Sequence, residues 1–187
     1  KTNGPIFVQG FSLESYEKIF YKLSKNIMNT FSFSLIAIVI IIIFGMLLSY
    51  LVVKKKSKIS GILDLLLMFP YVIPGAVLGI SMLVAFNKPP LMLSGTAAIM
   101  IIAYVVRKMP YTIRSSSALL YQIEPSIEEA SINLGVSPMR TFFKITARMM
   151  APGVLSGAIL SWITTINELS SSVMLYSGKT ATISVAI

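Results

Sequence analysis

Two residue types are missing altogether from these 187 residues: there is no cysteine and no histidine. Their absence excludes disulfides, thiol nucleophiles, thiolate or imidazole zinc sites and imidazole acid–base chemistry. Charge is scarce as well, at 12% of residues, against roughly a quarter in a typical soluble domain. Any catalysis would have to rest on carboxylates, lysines or hydroxyls, and no convincing carboxylate pair faces one site.

What fills the chain is apolar. Hydrophobic residues make up 55% of it and the mean hydropathy is +0.81, which places it among integral membrane proteins. Crossing a hydrocarbon core of about 30 Å takes roughly 20 residues at 1.5 Å each. Four stretches qualify: about 27–53, 62–86, 91–106 and 149–176. The first is too long, and too far from a basic leader, for a signal peptide. The expected fold is all-α, a polytopic bundle of transmembrane helices.

The net charge of +9 matters through its distribution rather than as a sign of nucleic-acid binding, which we do not expect. Lys54, Lys55, Lys56 and Lys58 follow the first span, and Arg107, Lys108, Arg114, Arg140, Lys144 and Arg148 lie between the third and fourth, ten in all. Lys1, Lys18, Lys22, Lys25, Lys88 and Lys179 make six on the other side. The positive-inside rule then puts the segment 107–148 in the cytoplasm and the amino terminus outside. Residues 1–25, with Gly4, Pro5 and Gly10, read as an extracytoplasmic lead-in whose later part lies along the interface, with Phe11, Tyr16, Phe20 and Tyr21 at headgroup level.

In the second span, Pro70, Pro74, Gly75 and Gly79 interrupt the helix. Two readings stand: a packing kink, or a broken helix lining a pathway. In the fourth, TTINELSSS places Asn167, Glu168, Ser170, Ser171 and Ser172 at membrane depth. A carboxylate in hydrocarbon costs at least about 2.5 kcal/mol, so Glu168 faces the bundle interior or water. Counting from Pro152 puts it roughly 24 Å along the helix, towards the outer half. It is a carboxylate that reaches the outer interface or is held by serines in a helix contact, or else a pathway residue met by a cation. Asp64 reads as a charge at the start of the second span. Ser94, Gly95, Thr96, Ser156 and Gly157 read as small residues that let helices approach.

The segment between the last two spans is polar and patterned. Ser126 as N-cap with Glu129 as its capping-box partner starts one short helix, and Gly135 ends it. Ser137 caps a second, with Pro138 at its first position. Ile127, Ala130 and Leu134 share one stripe, and Phe142, Phe143 and Ile145 stand among Arg140, Lys144 and Arg148. This is either a solvated hairpin resting on its own bundle or a surface inserted in a partner's groove.

EEASINLGVSPMRTFFKI, residues 128–145, resembles the EAA loop of the permease subunits of binding-protein-dependent ABC importers. Glu129, Ala130 and Gly135 match the signature at its spacing, with Ser131 in place of the second alanine; the usual terminal Leu-Pro is replaced by Ala147 and Arg148. PYTIRSSSALLYQIEPSIEEASINLG and SWITTINELSSSVMLYSGKTATISVAI look most like permeases for ferric iron, with those for thiamine, polyamines and oxyanions next. The resemblance implies a type I importer permease core, MetI-like, over about 26–187, as a fragment of a longer permease. It implies a non-catalytic subunit whose loop docks in a cleft of a separate cytoplasmic ATPase dimer that carries ATP and Mg. It implies an extracytoplasmic substrate-binding protein, a second permease half, fused or homodimeric, and the bacterial inner membrane. The docking residues would be Glu128, Glu129, Ala130, Gly135, Ser137, Pro138, Arg140 and Phe143. The translocation residues would be Asn167, Glu168, Ser170, Ser171, Pro70 and Pro74, with no metal ligand. The rivals are a secondary transporter or channel not driven by ATP, and a membrane-embedded enzyme.

SGKT, residues 177–180, looks like the end of a phosphate loop, but Val173 stands where that loop needs its first glycine.

Overall fold

The computed structural model describes residues 2–3, 6–7, 13–54 and 58–187. A short antiparallel pair, β1 (Thr2–Asn3) and β2 (Ile6–Phe7), is followed, among the described residues, by helices. They are α1 (Glu14–Lys54), α2 (Lys58–Val72), α3 (Gly75–Ala85), α4 (Ala97–Leu120), α5 (Pro125–Asn133), α6 (Pro138–Thr141), a π-helical turn (Phe142–Thr146), α7 (Ala147–Ile166), α8 (Ser172–Leu175) and α9 (Ile183–Ala186).

The centre is a three-helix core of α1, α4 and α7. Val53 packs in one cluster with Leu120, and Gly45 faces Thr112, so α1 and α4 run parallel. Thr112 Oγ1 meets Ser161 Oγ at 3.2 Å and Gly153 abuts Ser115, so α7 runs the opposite way. The contact is intimate because Gly157 has no side chain: a Cβ there would stand 2.5 Å from Thr112 Cα. Ile41, Ile99, Met100, Ile113, Met150 and Val154 are fully enclosed. Outward, Leu35, Val39 and Ile43 on α1, Leu65, Leu66 and Phe69 on α2, and Leu155, Ile159 and Ile163 on α7 are exposed, the surface that a bundle in lipid presents to acyl chains or partner helices.

Several expected boundaries move. The first helix is 41 residues long, about 61 Å, and it absorbs the segment expected to lie along the interface; Tyr16, Phe20 and Tyr21 are exposed on its first turns. Gly4, Pro5, Gly10, Phe11, Lys55 and Lys56 lie outside the described residues. The second span is two helices meeting at 107°. Pro70 sits inside α2 without ending it, and the break falls at Ile73–Pro74, where Pro74 caps α3.

The span expected over 91–106 begins at Ala97 and continues to Leu120, so Arg107, Lys108 and Arg114 are on a membrane-bundle helix rather than in a loop. Ser94, Gly95 and Thr96 precede it as a turn, with Gly95 at φ 74°, and its carbonyl accepts from Ser177 Oγ at 2.9 Å. They are therefore a loop contact, not helix packing. The last span ends at Ile166, not 176, and the chain passes through a non-helical stretch before α8. Asp64 lies in the second turn of α2 and pairs with Arg114 Nη2 at 3.1 Å. Residues 177–180 form a turn in which Thr180 Oγ1 accepts from Ser177 N.

Candidate functional site

Two places gather polar side chains. The first is the end of the bundle built by α5, α6 and the π turn. Its start differs from the capping box expected at Ser126: Glu124 is the N-cap, Pro125 takes the first position, and Ser126 Oγ donates to Glu124 Oε2 at 3.2 Å. A proline needs no hydrogen-bond acceptor there, which moves the helix start two residues back, from Ser126 to Glu124 as N-cap. Gly135 ends α5 as expected, at φ 84°. Gly135 N donates to Ile132 O and Val136 N to Ser131 O, the two bonds of a Schellman end. Ser137 and Pro138 then open α6, without a side-chain cap.

The hairpin has an inner and an outer face. Inside, Ser131 Oγ meets Thr141 Oγ1 at 2.9 Å, and Phe142 is buried with its ring edge-on to Tyr50 at 4.7 Å. Glu128 also turns inward: Thr146 Oγ1 donates to its Oε1 at 2.6 Å and Lys54 Nζ stands 3.5 Å from Oε2. Outside, Ile127, Leu134, Met139 and Phe143 are exposed, as are Glu129, Ala130, Gly135, Ser137, Pro138 and Arg140. The expected docking residues therefore divide. Glu128 ties the hairpin to α1 and the π turn, while the others share the open face.

The second place lies at the α7–α8 break. Glu168, 6% exposed, accepts from Ser171 N and Oγ on Oε1, both at 3.2 Å. Its Oε2 takes Lys108 Nζ at 2.5 Å and Arg107 Nε at 3.2 Å. Arg107 Nη1 donates to Ile73 O at 3.1 Å, a carbonyl left free by the bend between α2 and α3. One arginine thus joins both interruptions of the bundle. Ser172 Oγ meets Tyr104 OH at 2.7 Å and donates to Glu168 O.

Of the expected pathway residues, Glu168 and Ser171 come together here, and Pro74 follows the Ile73 carbonyl that Arg107 holds. Ser170 is exposed and abuts Gly75. Asn167 caps α7 by donating to Ile163 O at 2.9 Å, and Pro70 stands apart in α2. Glu168 is neither a free carboxylate nor simply a serine-held one: two cations neutralise it. Arg107 and Lys108 were missed because two adjacent charges followed by Pro110 look like the end of a span; the signal was the run 111–120 beyond, long enough to continue the helix despite the proline. Among the described residues no cluster of acidic side chains is placed to hold a metal ion.

Residues 41–187 match the family described as "Binding-protein-dependent transport system inner membrane component". The chain is 33% identical over 155 residues to the ferric transport system permease protein FbpB of Actinobacillus pleuropneumoniae, covering 83% of this chain and 23% of that protein. It is 28% identical over 181 residues to the molybdate/tungstate transport system permease protein WtpB of Pyrococcus furiosus, covering 94% of this chain and 71% of the relative. The corresponding Pyrococcus abyssi protein is 30% identical over 142 residues, covering 75% of this chain and 56% of the relative. The chain thus spans about a quarter of the length of its ferric-permease relative. The relatives are named as permease components of transport systems.

Proposed function

The chain belongs to the family of binding-protein-dependent transport system inner membrane components, and on that premise we propose that it is a non-catalytic membrane subunit of an ATP-driven importer. Its bundle contributes to the translocation pathway, and the open face of α5 and α6 seats a cytoplasmic ATPase dimer that holds ATP and Mg. The observation that carries this reading is that outer face: Leu134, Met139 and Phe143 are exposed beside Glu129 and Arg140 at one end of the bundle. Exposed apolar side chains among charges suit a groove in a soluble partner. An extracytoplasmic binding protein, a second permease half and the bacterial inner membrane complete the reading, with residues 121–148 on the cytoplasmic side. Lys54, Arg140, Lys144 and Arg148 still gather at that end once Arg107, Lys108 and Arg114 are assigned to ion pairs within the bundle.

Ferric iron is the first substrate reading, supported by the FbpB relative. An oxyanion is the second, supported by the WtpB relatives and by the two cations around Glu168. The test is co-purification of the full-length protein with its ATPase, native against Glu129→Lys and Gly135→Pro. Loss of the ATPase with membrane insertion preserved is expected. Undiminished ATPase binding and transport would overturn the docking assignment and favour a transporter that does not use ATP.

A further inference from the structure

The cluster around Glu168 is electrostatically incomplete. Two cations meet one carboxylate, and the carboxylate's other oxygen is occupied by Ser171. Other acidic side chains are engaged elsewhere: Asp64 holds Arg114, and Glu128 holds Lys54. An excess of one positive charge therefore remains at the middle of α4, a helix of 24 residues or about 36 Å. With the Lys108 and Glu168 side chains only 8% and 5% exposed, the charges are weakly screened on the bundle side, so such an excess calls for a counter-charge. The first turn of α3 adds partial positive charge on the same side, its Gly75 so close to Arg107 that a Cβ would stand 2.8 Å from Nη1.

The excess is also accessible. Lys108 is sealed, with its side chain 8% exposed, whereas Arg107 is 19% exposed. Arg107 Nε is on Glu168 and Nη1 on Ile73 O. Beside it, Ser170 is exposed, its Cβ and Arg107 Nη1 lying 2.6 and 2.8 Å from the same point above Gly75. A partly exposed guanidinium at membrane depth belongs to a watery path rather than hydrocarbon, and its fork suits paired oxygen acceptors.

We propose that Arg107 and Ser170, backed by Lys108 and Glu168, form a subsite for an anionic oxygen group, so that the species passing this level carries net negative charge. It is a free oxyanion or a ferric ion enclosed in anionic oxygen ligands, and not a bare metal cation. This deepens the permease reading and rests on it.

The experiment uses the full-length permease with its ATPase and binding protein in proteoliposomes. The probes are radiolabelled molybdate, sulfate and phosphate, and radiolabelled ferric citrate. Ser170→Asp supplies a carboxylate next to Arg107 and cancels the excess; Ser170→Asn is the neutral control of the same shape. Uptake is expected to fall about tenfold or more in Ser170→Asp and about threefold in Ser170→Asn, which loses the hydroxyl but adds no charge, and to recover to the Ser170→Asn level when Glu168→Gln is added to Ser170→Asp, because the net charge returns. A steric or folding defect would not be rescued in that way. Uptake of an oxyanion alone assigns the free ion, and uptake of ferric citrate alone assigns the complex. Unchanged or increased uptake in Ser170→Asp overturns the subsite, as does a wild-type assembly that hydrolyses ATP yet moves none of these anions. Failure to bind the ATPase at all counts instead against the permease reading.

Discussion

Glu128 offers a measurable link between the hairpin and the membrane helices. Its carboxylate accepts from Thr146 at 2.6 Å and faces Lys54 at 3.5 Å, with the two charged side chains only 13% and 17% exposed. A hydrogen bond to a charged group contributes about 1.5–3 kcal/mol, and a partly solvated ion pair about 0.5–1 kcal/mol. Glu128→Ala removes both and leaves Thr146 unpaired, so the expected cost is about 3 kcal/mol. Glu128→Gln keeps an acceptor for Thr146 and loses the charge, for about 1 kcal/mol. Denaturant titration of the purified protein in detergent, run as a double-mutant cycle with Thr146→Val, isolates the shared term, expected at about 2 kcal/mol. In the reconstituted importer, Glu128→Ala should still bind the ATPase through the outer face yet hydrolyse more ATP per substrate moved. A coupling energy below about 0.3 kcal/mol, with an unaltered ratio, would refute the assignment of Glu128 as the tie.

Two further outcomes follow from packing and charge. Gly157→Val drives side-chain atoms into the α4 backbone at Thr112, where no rotamer relieves the overlap; a loss of at least about 2 kcal/mol is expected in the same titration, whereas Gly178→Val, with open space around it, should stay within about 0.5 kcal/mol. Glu168→Ala strands two cations at bundle depth and should cost about 3–5 kcal/mol; adding Lys108→Met should return part of that stability, and no recovery would show that the ion pair is not the cause.

How much was legible follows from which forces are local. The long apolar run from Leu35 to Phe44 sits within α1, and Gly135 marks the end of α5 because a left-handed residue there is a backbone requirement. The start of α5 was misread because Ser126 and Glu129 carry the capping-box pattern, while Pro125, one position earlier, decides where the helix begins. The length of α4 was hidden for a different reason. Arg107 and Lys108 look like a membrane boundary until their partner, sixty residues away in sequence, is known. Likewise, nothing near Glu128 distinguishes it from Glu129; only the fold turns one inward to Lys54 and leaves the other outside.

The π-helical turn at Phe142–Thr146 sets the phase of everything beyond it. Such a turn holds one residue more than its α-helical neighbours, and each residue of an α-helix turns the chain by about 100° and advances it by about 1.5 Å. Were the turn wound as ordinary α-helix, α7 would arrive rotated by a quarter-circle or more. Gly153, Gly157 and Ser161 would swing away from α4, and an isoleucine-bearing face would take their place. The single extra residue acts as an angular offset, dialling the glycine side of α7 onto its neighbour and its greasy side outward.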